Sequence, residues 1–129
     1  FHDSCNVARA SRMGDAPGGQ FEIPRNIIRA VANKYVEMAP GTTREATFCC
    51  GGGGGLLTDE LIELRVKGAL PRMEALKQVV DQHGVNFMAT ICAICKAQFT
   101  KVLPYYKFNR GMVGGVHQLV STAIQLGDK

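Results

Sequence analysis

The sequence contains no tryptophan and only three tyrosines, so it offers few flat aromatic surfaces on which nucleobases could stack. Its charge imbalance is small: fifteen Lys and Arg stand against eleven Asp and Glu, a formal net charge of +4. The basic residues are dispersed rather than gathered into a stripe, so nucleic acid is not an expected partner, although an acidic protein segment is compatible with the charge. Long apolar runs are missing too. The longest, Phe87 to Cys95, spans nine residues and includes Thr90, whereas a membrane-spanning helix takes about twenty. No direct membrane span is expected, and the polar, irregular N-terminal stretch carries no secretory signal. Nucleotide motifs fail on residues. A phosphate-binding loop needs Gly-Lys-Ser/Thr after its glycines, but here Leu56-Leu57 follow, and no G-x-G-x-x-G can be placed on the run. No G-x-S-x-G elbow supports Ser-His-Asp chemistry.

What is present is an ordinary globular composition, 46% hydrophobic and 20% charged, sufficient for a buried core and not that of a disordered chain. Residues 1–129 read as one domain with no internal repeat. The chain opens on Phe1 rather than Met, and Phe1-His2-Asp3 reads like a strand end. The expectation is that the chain begins mid-protein, as a C-terminal fragment.

The cysteines carry the chemistry. There are five, Cys5, the adjacent pair Cys49-Cys50, and Cys92-x-x-Cys95. An odd number excludes a complete intrachain disulfide framework, and neighbouring cysteines form strained bridges. Thiolate ligation or thiol redox chemistry in a reducing compartment fits better. Taken alone, Cys92-x-x-Cys95 is compatible with a redox pair, half a zinc site or part of an iron–sulfur site, or with two buried structural thiols.

The pattern around them alternates strands and helices. Pro24 suits the first turn of a helix that Ile27, Ile28, Val31 and Tyr35 carry to about Met38. A short strand, Ala46-Thr47-Phe48, then delivers Cys49 and Cys50 to a sheet edge. After five glycines, Gly51 to Gly55, Thr58 with Asp59 and Glu60 resembles a capped helix start. The following helix meets Pro71, which should kink or divide it, and stops at His83-Gly84. Val85 to Ile91 reads as a buried strand leading into Cys92 and a helix through Leu103. Met112 to Val116 reads as a last strand, with a helix over Leu119 to Leu126. Polar residues Ser11 to Gly19 read as a loop. The implied fold class is α/β, with a mainly parallel sheet flanked by helices and all cysteine groups converging at the carboxyl edge of its strands, where such sheets bind ligands.

Gly51, Gly52 and Gly53 let backbone N–H groups turn toward anionic sulfur. His2, three residues before Cys5, is a candidate proton donor or outer donor to the site, or a partner of Asp3 in fixing the turn. His83 reads as a helix C-terminal cap and His117 as ambiguous. Lys96 and Lys101 follow the last cysteine on a helix; they are solvated-face residues or, if they rim the site, they attract an anionic substrate.

The segments Phe1-His2-Asp3-Ser4-Cys5, Phe48-Cys49-Cys50-Gly51-Gly52-Gly53-Gly54-Gly55 and Cys92-Ala93-Ile94-Cys95 together resemble the cysteine-rich CCG domain. That domain occurs in heterodisulfide reductase catalytic subunits and in lactate, glycolate and glycerol-3-phosphate oxidation proteins. Within it, the likeness is greatest to the DsrK branch, from the membrane-bound complex of sulfate reducers and sulfur oxidisers. The spacers, 43 residues between Cys5 and Cys49 and 41 between Cys50 and Cys92, are longer than usual for that family, and Ser4 stands where Pro is common. The resemblance implies that Cys5, Cys49, Cys50, Cys92 and Cys95 all hold a non-cubane 4Fe–4S cluster lined by Gly51, Gly52 and Gly53. It implies an oxidoreductase acting on a disulfide, persulfide or trisulfide in dissimilatory sulfur metabolism, with the cysteines as ligands rather than nucleophiles. The implied partners are the cysteine tail of a DsrC-like sulfur carrier, docked by Lys96, Lys101 and Arg110, and the other subunits of a complex on the cytoplasmic face of a membrane. Two alternatives stay open. One is an electron-transfer subunit of a hydroxy-acid or glycerol-3-phosphate oxidation complex; the other is a non-catalytic interaction module with zinc on four cysteines.

Overall fold

The computed structural model describes residues 1–124. Its regular elements are β1 (Arg12–Met13), β2 (Ala16–Pro17), α1 (Glu22–Val31), α2 (Ile62–His83), β3 (Met88–Thr90), α3 (Ala93–Val102), β4 (Val113–Gly115) and α4 (Val116–Ala123). β3 and β4 pair in parallel, with Met88 opposite Val113 and Thr90 opposite Gly115. His2 adds a parallel bridge to Thr90, its N–H donating to the Ala89 carbonyl at 2.9 Å. Thr90 therefore has neighbours on both edges, and the expected strand end at Phe1-His2-Asp3 is present as that bridge.

Alternation along β3 divides the core. Met88 joins Ala69, Met73 and Leu76 of α2 and Phe99 and Val102 of α3, together with Cys50, Cys92 and Cys95. Ala89 joins a second cluster with Phe1, Ile28 of α1 and Val116 of α4. The protein is thus a mixed helix-and-strand fold around a small parallel sheet.

The sheet is smaller than the alternation of the sequence implies. Residues 46–48 are not a strand: Arg44–Ala46 form a 3-10 turn and Thr47 follows with extended backbone. Cys49-Cys50 accordingly sit in a loop, not at a strand end. The 11–19 loop contains the antiparallel β1–β2 pair, and Cys5–Arg9 forms a π-helical turn. Ser4 explains that turn, because its hydroxyl accepts from the N–H groups of Asn6 and Val7 at 3.2 and 3.1 Å.

Helix boundaries differ for identifiable reasons. α1 ends at Val31, well short of Met38, with Ala32 already extended. The residues beyond it are needed elsewhere: Glu37 returns to accept from Arg25 Nε at 2.9 Å, and Met38 is buried in the α2–α3 cluster. Thr58 makes no side-chain cap; a 3-10 turn, Asp59–Leu61, precedes α2 instead. Pro71 neither divides nor ends α2. Both Pro71 and Lys67, whose carbonyl loses its helical donor, are on the exposed side, where water replaces the missing bond. The stop at His83-Gly84 is as expected, with Gly84 left-handed at φ 64° and its N–H donating to the Val80 carbonyl. Of the last expected helix, the part beyond residue 124 lies outside the described residues.

A buried ionic knot fixes the N-terminal segment. Asp3, fully buried, accepts from both terminal nitrogens of the equally buried Arg25 at 2.6 and 2.5 Å. It also accepts from the Arg44 N–H at 2.8 Å, while the Thr47 hydroxyl donates to the Asp3 carbonyl at 2.7 Å. Replacing Asp3 with Asn leaves a buried guanidinium short of its strongest partner. The expected loss is about 3–5 kcal/mol of unfolding free energy, read as a fall in the urea midpoint; an unchanged midpoint would show that the knot does not hold the fold.

Candidate functional site

The carboxyl end of β3 feeds directly into the Cys92-x-x-Cys95 turn. Cys92 is the extended residue before α3, its N–H donating to the Thr90 hydroxyl at 3.4 Å, and Cys95 is buried in the first turn. Burial pushes the Cys92 thiol pKa up, but the N–H groups of Cys95 and Ile94 and the Ser4 hydroxyl outweigh it and leave the thiol below its ordinary range. Ser4 thus brings the segment carrying Cys5, which is half-buried, against Cys92.

Cys49 and Cys50 lie in the loop before the glycines, one exposed and one buried. The Gly51 N–H donates to Cys49 Sγ at 3.2 Å and the Gly52 N–H to Cys50 Sγ at 3.3 Å; the Gly53 backbone also serves Cys49. The expected turning of glycine N–H groups toward sulfur is therefore present. The thiols interact in series, Cys49 with Cys50, Cys50 with Cys95, and Cys95 with Cys92. The Cys50 bond and then burial push the Cys49 thiol far up. For Cys50, the hydrogen bond to Cys49 lowers the pKa, but Cys95 and burial prevail and push it up to about 12. No three His, Cys, Asp or Glu side chains among the described residues gather around one point.

A polar clamp that the sequence reading missed holds this loop. Gln98 of α3, fully buried, donates from Nε2 to the Cys50 carbonyl at 3.0 Å and to the Arg65 carbonyl at 3.1 Å. Arg65 of α2 donates back to Gln98 Oε1 at 2.9 Å and to the Thr58 carbonyl at 3.1 Å. The available signal was spacing: Gln98 lies on the same helical stripe as Cys95, Phe99 and Val102. Gly51 is wedged into this clamp at φ 89°. A Cβ there would come within 2.7 Å of the Ala69 nitrogen, the Arg65 carbonyl oxygen and Gln98 Nε2.

His2 does not pair with Asp3, whose carboxylate is taken by Arg25. Its imidazole is fully buried, edge-on to Phe99 at 4.8 Å, and neither ring nitrogen has a hydrogen-bond partner among the described residues. Burial and the Arg72 charge hold its pKa well below the ordinary value, so it is neutral. His83 is the last residue of α2, its carbonyl accepting from Lys34 Nζ at 2.9 Å, and His117 is exposed on α4. Lys96 and Lys101 line one surface groove of about 400 Å³ with Arg110, Ala93, Ala97 and Thr100. Lys101 is partly neutralised there by Asp59 at 3.0 Å.

Residues 1–100 match the family model described as the CCG cysteine-rich domain. The chain is 45% identical over 126 residues to the Hdr-like menaquinol oxidoreductase iron-sulfur subunit of Archaeoglobus profundus, covering 98% of this chain and 21% of that protein. It is 44% identical over 124 residues to the Hdr-like menaquinol oxidoreductase iron-sulfur subunit 2 of Archaeoglobus fulgidus, with 96% and 21% covered. A probable membrane-anchored ferredoxin of Chromohalobacter salexigens is 28% identical over 125 residues, 96% of this chain and 16% of that protein. The chain spans about a fifth of the length of the two archaeal relatives. No solved structure matches. No helix among the described residues is long and apolar enough to cross a membrane.

The clamp generates a test independent of any cofactor. Gly51→Ala imposes a left-handed alanine, on the order of 1–3 kcal/mol for the backbone alone, and drives its methyl into two backbone atoms. Thermal unfolding of the metal-free protein should show a clear fall in Tm, whereas Gly54→Ala, with no atom within 4 Å of the added carbon, loses only the backbone part.

Proposed function

The chain belongs to the CCG cysteine-rich domain family, of the heterodisulfide-reductase-like kind, and from this we propose that it is the iron–sulfur module of a membrane-associated oxidoreductase. Cys5, Cys49, Cys50, Cys92 and Cys95 hold a non-cubane 4Fe–4S cluster in this reading. The observation that carries it is the series Cys49, Cys50, Cys95 and Cys92, in which three of the four sulfurs also receive backbone N–H groups. Soft sulfur donors suit iron–sulfur centres, and N–H donors to sulfur stabilise the thiolate charge and tune potential. When bound, such a cluster passes electrons singly to or from a sulfur–sulfur bond, two electrons and two protons separating a disulfide from two thiols.

The chain's own residues do the rest. The Gly51 and Gly52 N–H groups and the start of α3 stabilise negative sulfur, and those at α3 hold Cys92 below the ordinary thiol range. Cys50 holds its proton to about pH 12 without metal, so loading must displace it and is favoured by rising pH. The basic groove lies on the helix that Cys92 and Cys95 begin. Lys96 and Arg110 in it have no carboxylate within 4.0 Å among the described residues, and they would receive the cysteine-bearing tail of a DsrC-like sulfur carrier. The module then belongs on the cytoplasmic face of its complex, exchanging electrons with neighbouring subunits.

Two measurements test this reading. In the complete protein purified without oxygen, Cys49→Ser should remove about four irons and four acid-labile sulfides per chain relative to the parent. Retention of the parent's iron and spectrum sinks the cluster, and loss of one zinc instead of iron moves the reading to an interaction module. For docking, Lys96→Glu combined with Arg110→Glu should weaken binding of the carrier's tail peptide about tenfold and flatten its salt dependence; an unchanged affinity removes the groove from the proposal.

A further inference from the structure

Among the described residues, three buried side-chain nitrogens have no hydrogen-bond partner: both ring nitrogens of His2 and Nε of Arg72. Native proteins rarely leave such atoms alone, and where they do an absent ion, water or cofactor is a standard explanation. Both side chains are fully buried and stand close enough that the Arg72 charge, after burial itself, helps keep the imidazole neutral.

Arg72 differs from the other buried arginines. Arg25 meets the carboxylates of Asp3 and Glu37, and Arg65 has Asp59 at 3.7 Å. Arg72 meets neutral groups: it donates to Met38 Sδ at 2.6 Å, to the Thr47 hydroxyl at 3.0 Å and to the Thr42 carbonyl, with its guanidinium 5.5 Å from the Phe48 ring centre. Burial is strong enough to pull its pKa down to about 10, against the opposing influence of Asp3 and of the Cys95 thiol. Asp3 is already committed to Arg25. A buried cation without a partner is strongly destabilising, and the anion it can still gain is sulfur on the cysteine side of the core.

We infer that Arg72 is the counter-charge of the cluster: its buried guanidinium favours the more negative, reduced state and so raises the reduction potential. This rests on the cluster proposed above. Arg72 is a positioning residue, acting through its field and not by touching the reacting atoms. His2, neutral and carrying one ring N–H, completes the same polar wall.

The test is a potentiometric titration by electron paramagnetic resonance of the complete protein, following the signal that Cys49→Ser abolishes. Arg72→Gln should lower the ratio of reduced to oxidised cluster at fixed potential at least tenfold, about 59 mV for a one-electron couple. Arg72→Lys should titrate close to the parent. Met38→Glu neutralises Arg72 in place and should shift the potential in the same direction, while Met38→Gln should not. Loss of iron in Arg72→Gln and Met38→Glu, with iron kept in the Lys and Gln counterparts, reports the same charge requirement. The inference is overturned if Arg72→Gln and Met38→Glu titrate like the parent, if Arg72→Lys moves as far as Arg72→Gln, if Met38→Gln moves as far as Met38→Glu, or if all four variants lose iron alike. A parent with no iron at this site overturns the cluster itself, a separate result.

Discussion

The carboxylate of Asp3 is the constraint on which the rest depends. Residues 1–5 and 32–61 contain little regular structure, yet the cysteines they carry must be held against α3. Asp3 binds Arg25 of α1, the backbone of Arg44 and, through its own carbonyl, Thr47. One buried residue thereby locates Cys5, two positions after it, and the Cys49-Cys50 loop, two positions after Thr47. A buried ion pair adds little net stability compared with an apolar replacement. Its contribution here is geometric, because bidentate pairing fixes register and direction where no sheet or helix does so.

A second polar layer serves the other side of the loop. Gln98 and Arg65 bridge α3 and α2 around Gly51, and the close approach of the loop is possible because the added carbon at Gly68 would already stand 3.2 Å from the Gly51 Cα. Two glycines facing each other bring loop and helix backbones together, with every hydrogen-bonding atom of the Gln98 amide used. The thiols lie between these two layers. The polar core is therefore placed where chain segments without regular structure meet the sulfur, and the apolar core takes over elsewhere.

That division explains what could be read from the sequence. β3, the Cys92 turn and α3, β4 and α4, and the Gly84 stop were legible because each depends on local periodicity or on a glycine conformation. The strand expected at 46–48 and the extension of α1 to Met38 were not, because residues 32–48 answer to partners far away in sequence: Asp3 with Arg44, Met38 with Arg72, Glu37 with Arg25. The division of α2 expected at Pro71 is absent, because that position and the carbonyl it deprives of a donor are on the exposed side of the helix. At the candidate site, the turning of the Gly51 and Gly52 N–H groups toward sulfur was legible from residue type and order, whereas Arg65, Arg72 and Gln98 drew no notice in the sequence. The only local hint was position: Arg65 and Arg72 are seven apart and interleave with Ala69, Met73 and Leu76, the stripe that is buried.

The electrostatics of the metal-free chain then point one way. Arg72 is charged and buried without an anion, while the Cys50 thiol, despite its hydrogen bond to Cys49, is held neutral by Cys95 and by burial. On the cysteine side of the core, thiolate charge would give that guanidinium the counter-ion it lacks. Close-lying protonated thiols do not ionise together unaided, since like charges in a dry site oppose each other. Metal held by the cysteines would remove that opposition, and in the proposed reading the negative charge that remains would face Arg72. The polypeptide and its proposed cluster would in this sense be two halves of one charge distribution, and binding the cluster would contribute directly to the stability of the fold around it.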